Sequence, residues 1–217
     1  MATNRDVFDR LAPGWYNFRH WSIFPGELEA LAKRWQQGSL LNLGCAHGPD
    51  FLPFRSGFEL YGVDFSPGMI KGAQKYCRKF DLTVNLLLAD VGCLPFSDRS
   101  FDRAISIATY HHIKGKEEQR RAFDELWRVL KPGAEAFVTV WNRWQRRFLF
   151  KPKEVAVPWR TGDKTLQRYY YLFSYPELEK LARRTGFEVV ESFPESSYRH
   201  RCKFFSRNIC LLLRKGN

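Results

Sequence analysis

The 217-residue sequence lacks the patterns of membrane, secreted and zinc-binding proteins. No apolar run reaches the length of a membrane span, and the first residues contain no apolar stretch of the kind found in secretion signals. The five cysteines are scattered and never form C-x-x-C, which argues against a disulfide framework and against a metal site. Repeats and low-complexity segments are also missing. We therefore expect a single domain over 1–217, located in the reducing cytoplasm and without membrane contact.

The standard phosphate-binding motifs are missing too. There is no G-x-x-x-x-G-K-[ST], and the segment Gly44–Gly48 lacks the third glycine of a dinucleotide site. What is present is a short apolar run, 40–43, followed by this glycine turn, and a second apolar run that ends in Asp64, 20 residues after Gly44. A strand, a glycine turn, a helix and a second strand ending in an acid form a nucleoside-binding unit, in which the acid accepts hydrogen bonds from ribose hydroxyls.

Helical and strand patterns alternate along the chain. The predicted helices are 4–18, 26–37, 49–54, 67–80, 117–130 and 175–185. The predicted strands are 39–43, 59–63, 84–88, 102–108, 134–141, 187–193 and 206–214. This alternation indicates an α/β fold with a doubly wound, mostly parallel sheet, closed by an antiparallel hairpin at one edge. We expect the run 84–89 to lie at or near a sheet edge, and residues 142–168 to be irregular and to cover the site.

The order of motifs over 38–141 resembles the class I S-adenosylmethionine-dependent methyltransferases. The resemblance implies a Rossmann-like sheet of seven strands, with a loop for the methionine part, an acid for the ribose and an acid for the adenine amino group. It assigns cofactor binding to Asn42, Gly44, Ala46, Gly48, Asp64, Phe65, Asp90 and Val91. Asn42 stands where the family usually has an acid, and Ala46 replaces the middle glycine. The alternative is a fold without a cofactor, in which Asp64 and Asp90 are helix N-caps.

Positive charge is concentrated in the C-terminal third. Residues 141–217 hold 17 Lys/Arg against 7 Asp/Glu, a surplus of 10 out of the net charge of +12. Eleven of the aromatic side chains that lie among these charges are Trp141, Trp144, Phe148, Phe150, Trp159, Tyr169, Tyr170, Tyr171, Tyr198, Phe204 and Phe205. Basic groups contact phosphates and aromatic faces stack on unpaired bases, so the pattern favours nucleic acid as a partner. The alternative is a solvated basic surface over ordinary core aromatics.

Further motifs resemble the tRNA wobble-uridine carboxymethyl methyltransferases, the Trm9 family. They are Tyr110-His111-His112-Ile113, Val140-Trp141, Val157-Pro158-Trp159, Arg168–Phe173 and Arg207-Asn208. The resemblance implies that the chain methylates the carboxylate of 5-carboxymethyluridine in the tRNA anticodon loop. It also implies a small zinc-binding activator, the Trm112 protein, which covers an apolar edge of the methyltransferase.

A carboxylate is already a nucleophile at neutral pH, so the reaction needs alignment rather than a general base. We expect Arg19 and Arg168 to position the anion. We expect Tyr16, Trp141 or Tyr170 to stack on the base or close the pocket. His112, or its neighbour His111, is a candidate substrate contact. The alternatives are an ion pair for Arg168 and a structural hydrogen bond for the histidine. The predicted catalytic set is Arg19, His112, Trp141, Arg168 and Tyr170.

Two other functions share this sequence core. One is a methyltransferase for a small molecule, although such an enzyme would favour an apolar lid over the basic, aromatic C-terminal third. The other is a noncatalytic RNA-binding protein on a methyltransferase fold, which the residues Asn42 and Ala46 favour.

Overall fold

The computed structural model describes residues 3–161, 164–200 and 202–216, and its centre is a seven-stranded sheet. The strands are β1 (Gly38–Leu43), β2 (Phe58–Asp64), β3 (Val84–Leu88), β4 (Phe101–Ile107), β5 (Leu130–Trp141), β6 (Glu154–Thr161), β7 (Lys164–Tyr171), β8 (Phe187–Pro194) and β9 (Asn208–Lys215). The helices are α1 (Asn4–Phe18), α2 (Pro25–Trp35), α3 (Pro67–Phe80), α4 (Lys116–Val129) and α5 (Tyr175–Arg184). Among the helices that the structure describes, none is both long and apolar enough to cross a membrane.

The sheet has the predicted topology. Its strand order is β3-β2-β1-β4-β5-β9-β8, in which the first five strands are parallel and β9 runs antiparallel to both β5 and β8. The run 84–88 therefore forms an edge strand, as the sequence predicts. Both the seven-stranded Rossmann-like α/β class and the antiparallel C-terminal hairpin are confirmed.

Apolar side chains alternate between the two faces of the sheet, as the period of a strand requires. In β1, Leu41 and Leu43 pack into the core that contains α4 and α5, whereas Leu40 packs into the core that contains α2 and α3. All three side chains are fully buried. Because both faces are covered by helices, the carboxyl ends of the parallel strands form the natural place for a ligand.

The prediction that residues 142–168 are irregular holds for 142–153, which contains turns and a short 3₁₀ helix, and is wrong for the residues that follow. Strands β6 and β7 pair antiparallel from Glu154↔Tyr171 to Thr161↔Lys164, in a separate two-stranded hairpin. Val157 and Leu166 are each buried between exposed neighbours, but Pro158 hides this alternation from a sequence-based prediction because proline is expected only in edge strands. Both strands of an isolated hairpin are edges, so proline is tolerated there.

The segment 49–54 is helical but forms a short 3₁₀ helix, Pro49–Phe54. Proline at its first position and again at Pro53 removes two backbone donors, which prevents a regular α-helix. Helix α1 and the β6–β7 hairpin cover the carboxyl edge of the sheet. Helix α1 packs against α3 and the β6–β7 hairpin in a cluster that includes Phe8, Leu11 and Leu166.

Candidate active site

A cavity of about 610 Å³ lies at the carboxyl ends of the parallel strands, beneath α1 and the β6–β7 hairpin. It brings together residues that are far apart in the sequence. All five predicted catalytic residues and six of the eight predicted cofactor residues line it, namely Arg19, His112, Trp141, Arg168, Tyr170, Gly44, Ala46, Asp64, Phe65, Asp90 and Val91. Asn42 and Gly48 do not line it.

The glycine turn after β1 is held close to the neighbouring strands. The amides of Gly44 and Cys45 both donate to the carbonyl of Val63, at 2.8 and 2.9 Å. Gly44 has a φ of +71°, and a Cβ atom there would lie 2.3 Å from Oγ1 of Thr109. Only glycine fits this position, because a side chain meets both a left-handed backbone and a steric overlap. Ala46 also has a positive φ, +48°, at the place where the family usually has glycine.

Asp64 joins this turn to the next strand end. Its Oδ2 accepts the backbone N–H of Ala46 at 3.0 Å, and its Oδ1 accepts the N–H of Ser66 at 2.9 Å. Burial raises the pKa of Asp64 to about 6, although these hydrogen bonds act in the opposite direction. The N-cap of α3 is Ser66, whose hydroxyl accepts from Met69, so the alternative role of Asp64 as that cap is excluded.

Asp90 is an exposed acid at the end of β3. Its Oδ1 accepts the N–H of Gly92 at 2.8 Å in a tight turn, and the next helix begins at Lys116. Asp90 is therefore not a helix cap either. Because it is exposed and lines the cavity, its carboxylate is accessible to a ligand.

Three polar residues near the glycine turn carry buried atoms without a hydrogen-bond partner. The Asn42 amide is fully buried, and both of its polar atoms are unpaired. Neither ring nitrogen of His47 has a partner, and burial lowers the pKa of His47 to about 4. The Oδ1 atom of Asp50 is unpaired as well, and burial raises the pKa of Asp50 to about 6. His47 and Asp50 line the cavity, so their unpaired atoms fit a ligand with ammonium or hydroxyl donors.

Sequence reasoning missed Asp50. The available signal was an acid directly after the glycine turn, at the start of the 3₁₀ helix, in a chain that lacks the usual acid at position 42. Trp15 and Arg147 were also missed as cavity residues.

Arg168 lies in a cage of aromatic rings. Its guanidinium carbon is 5.1 Å from the ring centroid of Trp159, 5.3 Å from that of Tyr170 and 5.8 Å from that of Trp15. Although Arg168 is only 7% exposed, it makes no ion pair within 3–161, 164–200 and 202–216, so the expected alternative of an acidic partner is excluded for these residues. Burial lowers the pKa of Arg168.

Arg19 approaches the same region from α1. Its guanidinium carbon is 5.2 Å from the Trp15 ring centroid, and it too makes no ion pair with any described residue. Burial lowers the pKa of Arg19, while the charge of Asp50 raises it. Two partly desolvated guanidinium groups therefore contact one indole ring in the same cavity. This arrangement favours an anionic ligand, because an anion would compensate the charge of Arg168 and add to the compensation that Asp50 gives to Arg19.

Aromatic rings form the wall beside Arg168. The ring of Tyr170 stacks on Trp141 at 4.2 Å and lies 5.0 Å from His111, at an angle of 14°. His111 accepts the backbone N–H of Trp141 on Nδ1 at 3.1 Å. His112 contacts the carbonyl of Tyr169 through Nδ1 at 3.0 Å. These backbone hydrogen bonds are the structural role that was the alternative for a histidine here, yet both rings still line the cavity.

Comparison with known proteins agrees with this fold and site. Residues 41–138 match the family described as methyltransferase domain. A solved S-adenosylmethionine-dependent methyltransferase of Clostridium acetobutylicum superposes with a TM-score of 0.76 at 14% identity, over 97% of this chain and 99% of that one. Residues 41–138 thus form a methyltransferase domain, and the chain has the fold of the class I methyltransferases.

Curated relatives are about 30% identical to this chain over the aligned residues. A putative methyltransferase of Encephalitozoon cuniculi is 29% identical over 80% of both chains. Proteins named tRNA (carboxymethyluridine(34)-5-O)-methyltransferase are 34% identical in Arabidopsis thaliana, over 62% of this chain, and 30% identical in Saccharomyces cerevisiae, over 70% of it. The chain spans 31% of the Arabidopsis protein and 54% of the yeast one.

One structural neighbour is part of a complex. A putative methyltransferase of Haloferax volcanii, solved together with the Trm112 methyltransferase activator, superposes with a TM-score of 0.67 at 19% identity, over 97% of this chain and 98% of that one. At this identity the likeness is one of fold.

Proposed function

We propose that this chain methylates the carboxylate of a carboxymethylated wobble uridine in the tRNA anticodon loop and forms its methyl ester. The observation that carries the proposal is the buried guanidinium of Arg168, which makes no salt bridge with any described residue and shares the ring of Trp15 with Arg19. An uncharged acceptor would leave the charge of Arg168 uncompensated among three aromatic rings. The names of the plant and yeast relatives support the same acceptor.

The cavity residues suit a reaction without a general base. The chemistry that S-adenosylmethionine supplies when bound is an electrophilic methyl group on sulfur. The acceptor carboxylate is already ionised, so the protein has to hold it in line and keep water out. Arg168 is confined by three aromatic faces, which restricts its motion and leaves its charge available to position the anion.

The cofactor residues keep their predicted roles within this proposal. The accessible carboxylate of Asp90 would meet the adenine amino group, and Asp64 would meet the ribose while it orders the glycine turn. To these we add Asp50, whose unpaired oxygen in the cavity wall would accept the methionine ammonium. Asp50 would thereby supply the negative charge that Asn42 lacks.

A small zinc-binding activator protein would cover the β3 edge of the sheet. Within the described part of the chain this strand pairs with β2 alone, and Leu88 at its end is 52% exposed. An open apolar edge favours association with another chain. The Haloferax complex shows that a methyltransferase of this fold assembles with such an activator. We expect Leu88→Asp to abolish stimulation by the activator while the cofactor affinity of the free protein stays unchanged.

The experiment that tests the function uses tRNA that carries the carboxymethyl group without the methyl ester. The protein is incubated with this tRNA and isotopically labelled cofactor, with and without the activator, and the nucleosides are analysed by mass spectrometry. The expected product is the labelled methyl ester of the wobble nucleoside. Label in another nucleoside, or in a small molecule only, would contradict the proposal.

A further inference from the structure

Two chain segments near the cavity present large aromatic side chains to solvent. Trp144 is 40% exposed, Phe204 is 47% exposed and Phe205 is 51% exposed. Exposed rings of this size on two linked segments indicate an interaction surface. We call Trp144, Phe204 and Phe205 the aromatic platform.

A buried amide holds the two segments of the platform together. The Oδ1 of Asn142 accepts the backbone N–H of Trp144 at 3.1 Å, and its Nδ2 donates to the carbonyl of Phe204 at 2.7 Å. Gln145 adds a second link, because its Nε2 donates to the carbonyls of Asn142 and Arg207 at 2.9 and 3.2 Å. Both amide side chains are buried, so the platform has a defined backbone geometry.

Positive charge surrounds the platform. Residues 142–153 contain five Lys/Arg and no Asp/Glu. The Arg143 guanidinium lies 4.7 Å from the ring centroid of Trp144, and neither Arg143 nor Arg146 makes an ion pair within the described ranges. Exposed aromatic faces beside unpaired arginines suit a polyanion with accessible bases, because the cations contact phosphates and the rings stack.

The first segment of the platform follows directly on cavity residues along the chain. Trp141 lines the cavity and directly precedes Asn142, the residue that organises the platform. Arg147 also lines the cavity, and its guanidinium lies 5.9 Å from the ring centroid of Trp141. When one nucleotide of a polynucleotide occupies the cavity, the nucleotides next to it would therefore reach the platform.

We propose that the aromatic platform stacks the unpaired RNA bases that flank the nucleotide held in the cavity. This inference rests on the proposed function, because the RNA is its tRNA substrate. Bases in a loop expose their faces, whereas paired bases in a duplex are already stacked on each other. The platform thus selects single-stranded loops, while the surrounding arginines bind any RNA backbone.

The test compares two RNAs in the absence of an activator. Binding of a fluorescent anticodon stem-loop, and of a duplex with the same number of phosphates, is measured by anisotropy for the unsubstituted protein and for the triple variant Trp144→Ala, Phe204→Ala, Phe205→Ala. One stacked base contributes roughly 5- to 150-fold in affinity. We expect the triple variant to bind the stem-loop at least about tenfold more weakly and the duplex within about twofold of the unsubstituted protein.

Three controls separate stacking from charge and from misfolding. Trp144→Phe keeps an aromatic face and should retain most of the stem-loop affinity. Trp127→Leu, which removes a partly exposed ring on α4 that neither lines the cavity nor belongs to the platform, should change neither affinity. The double variant Arg143→Gln, Arg146→Gln should reduce the salt dependence for both RNAs.

Two outcomes overturn the platform alone: stem-loop affinity that survives the triple substitution, or an equal loss for stem-loop and duplex. If the unsubstituted protein binds neither RNA, the proposed function fails together with the platform. Cofactor binding of the triple variant, measured by calorimetry, shows that its fold is intact.

Discussion

The imidazole rings of His111 and His112 lie 4.4 Å apart, and backbone hydrogen bonds hold them in opposite tautomers. His111 accepts the N–H of Trp141 on Nδ1, so its proton lies on Nε2. His112 donates from Nδ1 to the carbonyl of Tyr169, so its Nε2 has a free lone pair. The cavity wall therefore carries one neutral donor and one neutral acceptor side by side, which is suited to orienting a base rather than to moving a proton.

The first prediction concerns pH. Burial lowers the pKa of His112 to about 3 and that of His111 well below its ordinary value, so both rings remain neutral near pH 7. Above pH 6.5 both rings are neutral in the folded and in the unfolded chain. As the pH falls below 6.5 the unfolded chain binds protons first, so the free energy of unfolding decreases. His112→Asn should flatten the decline in unfolding free energy below pH 6.5 by up to about 1.4 kcal/mol per pH unit.

Urea unfolding at a series of pH values measures this difference between the variant and the unsubstituted protein. The rate of methyl transfer between pH 6 and 8.5 should show no titration of a histidine. An inflection near pH 6.5 that disappears in His112→Asn would contradict the neutral assignment.

The glycine turn makes a second prediction, in the form of a matched pair. Gly44→Ala should abolish cofactor binding and destabilise the fold by roughly 2–4 kcal/mol, because the new Cβ overlaps the Thr109 side chain and the backbone is left-handed. Ala46→Gly removes a left-handed alanine and should change the unfolding free energy by less than about 1 kcal/mol. Calorimetry with S-adenosylhomocysteine and urea unfolding give the two readouts. Normal cofactor binding by Gly44→Ala would refute this account of the turn.

Asp50 provides the third prediction. Asp50→Asn keeps the size of the side chain but removes the charge that would face the methionine ammonium, so cofactor affinity should fall by about tenfold, which corresponds to about 1.4 kcal/mol. Asp81→Asn is the charge-matched control, because Asp81 is exposed and caps α3 in a left-handed conformation that asparagine also tolerates. Equal cofactor affinities for the two variants would remove Asp50 from the site.

A buried carboxylate far from the cavity carries the fourth prediction. Glu135 accepts hydrogen bonds from Arg34, Trp35 and Arg214, at 2.7 to 3.0 Å, and these partners lower its pKa to about 2. An acid whose pKa is lowered on folding stabilises the fold at pH values above its pKa in the unfolded chain, about 4.5. This stabilisation is lost as the pH falls toward 2. Glu135→Gln should therefore lose about 2 kcal/mol of unfolding free energy at pH 7 and much less at pH 3. The same loss at both pH values would show that packing, not charge, dominates.

The parts of the fold that sequence could predict are those with local signals. Strands β1 and β2 are short apolar runs. The first ends at the glycine turn that begins with Gly44, and the second ends at Asp64. Their positions, and the fact that both end at the same edge of the sheet, can therefore be predicted from the sequence. The β6–β7 hairpin is not evident from the sequence because Pro158 and the unbroken run Tyr169-Tyr170-Tyr171 conceal the two-residue period of its strands.

The site was harder to predict than the sheet because long-range packing assembles it. Arg19 and Trp15 reach the cavity only because α1 folds over the strand ends, and the contact of Arg168 with Trp15 joins two distant parts of the chain. A sequence pattern carries no record of such a contact. Asp50 escaped notice for a related reason, since Pro49-Asp50 has the composition of a loop and only its burial marks it.

The most direct test of the central claim compares two anticodon stem-loops that differ by one charge. One carries the carboxymethyl group on the wobble uridine, and the other carries its uncharged amide. The affinities of the unsubstituted protein and of Arg168→Met are measured for both in the presence of S-adenosylhomocysteine. The account predicts that the unsubstituted protein prefers the carboxylate by at least about tenfold, and that Arg168→Met loses most of this preference without weaker binding of the amide. Equal affinity of the unsubstituted protein for the two RNAs would contradict the assignment of the cavity as a carboxylate site.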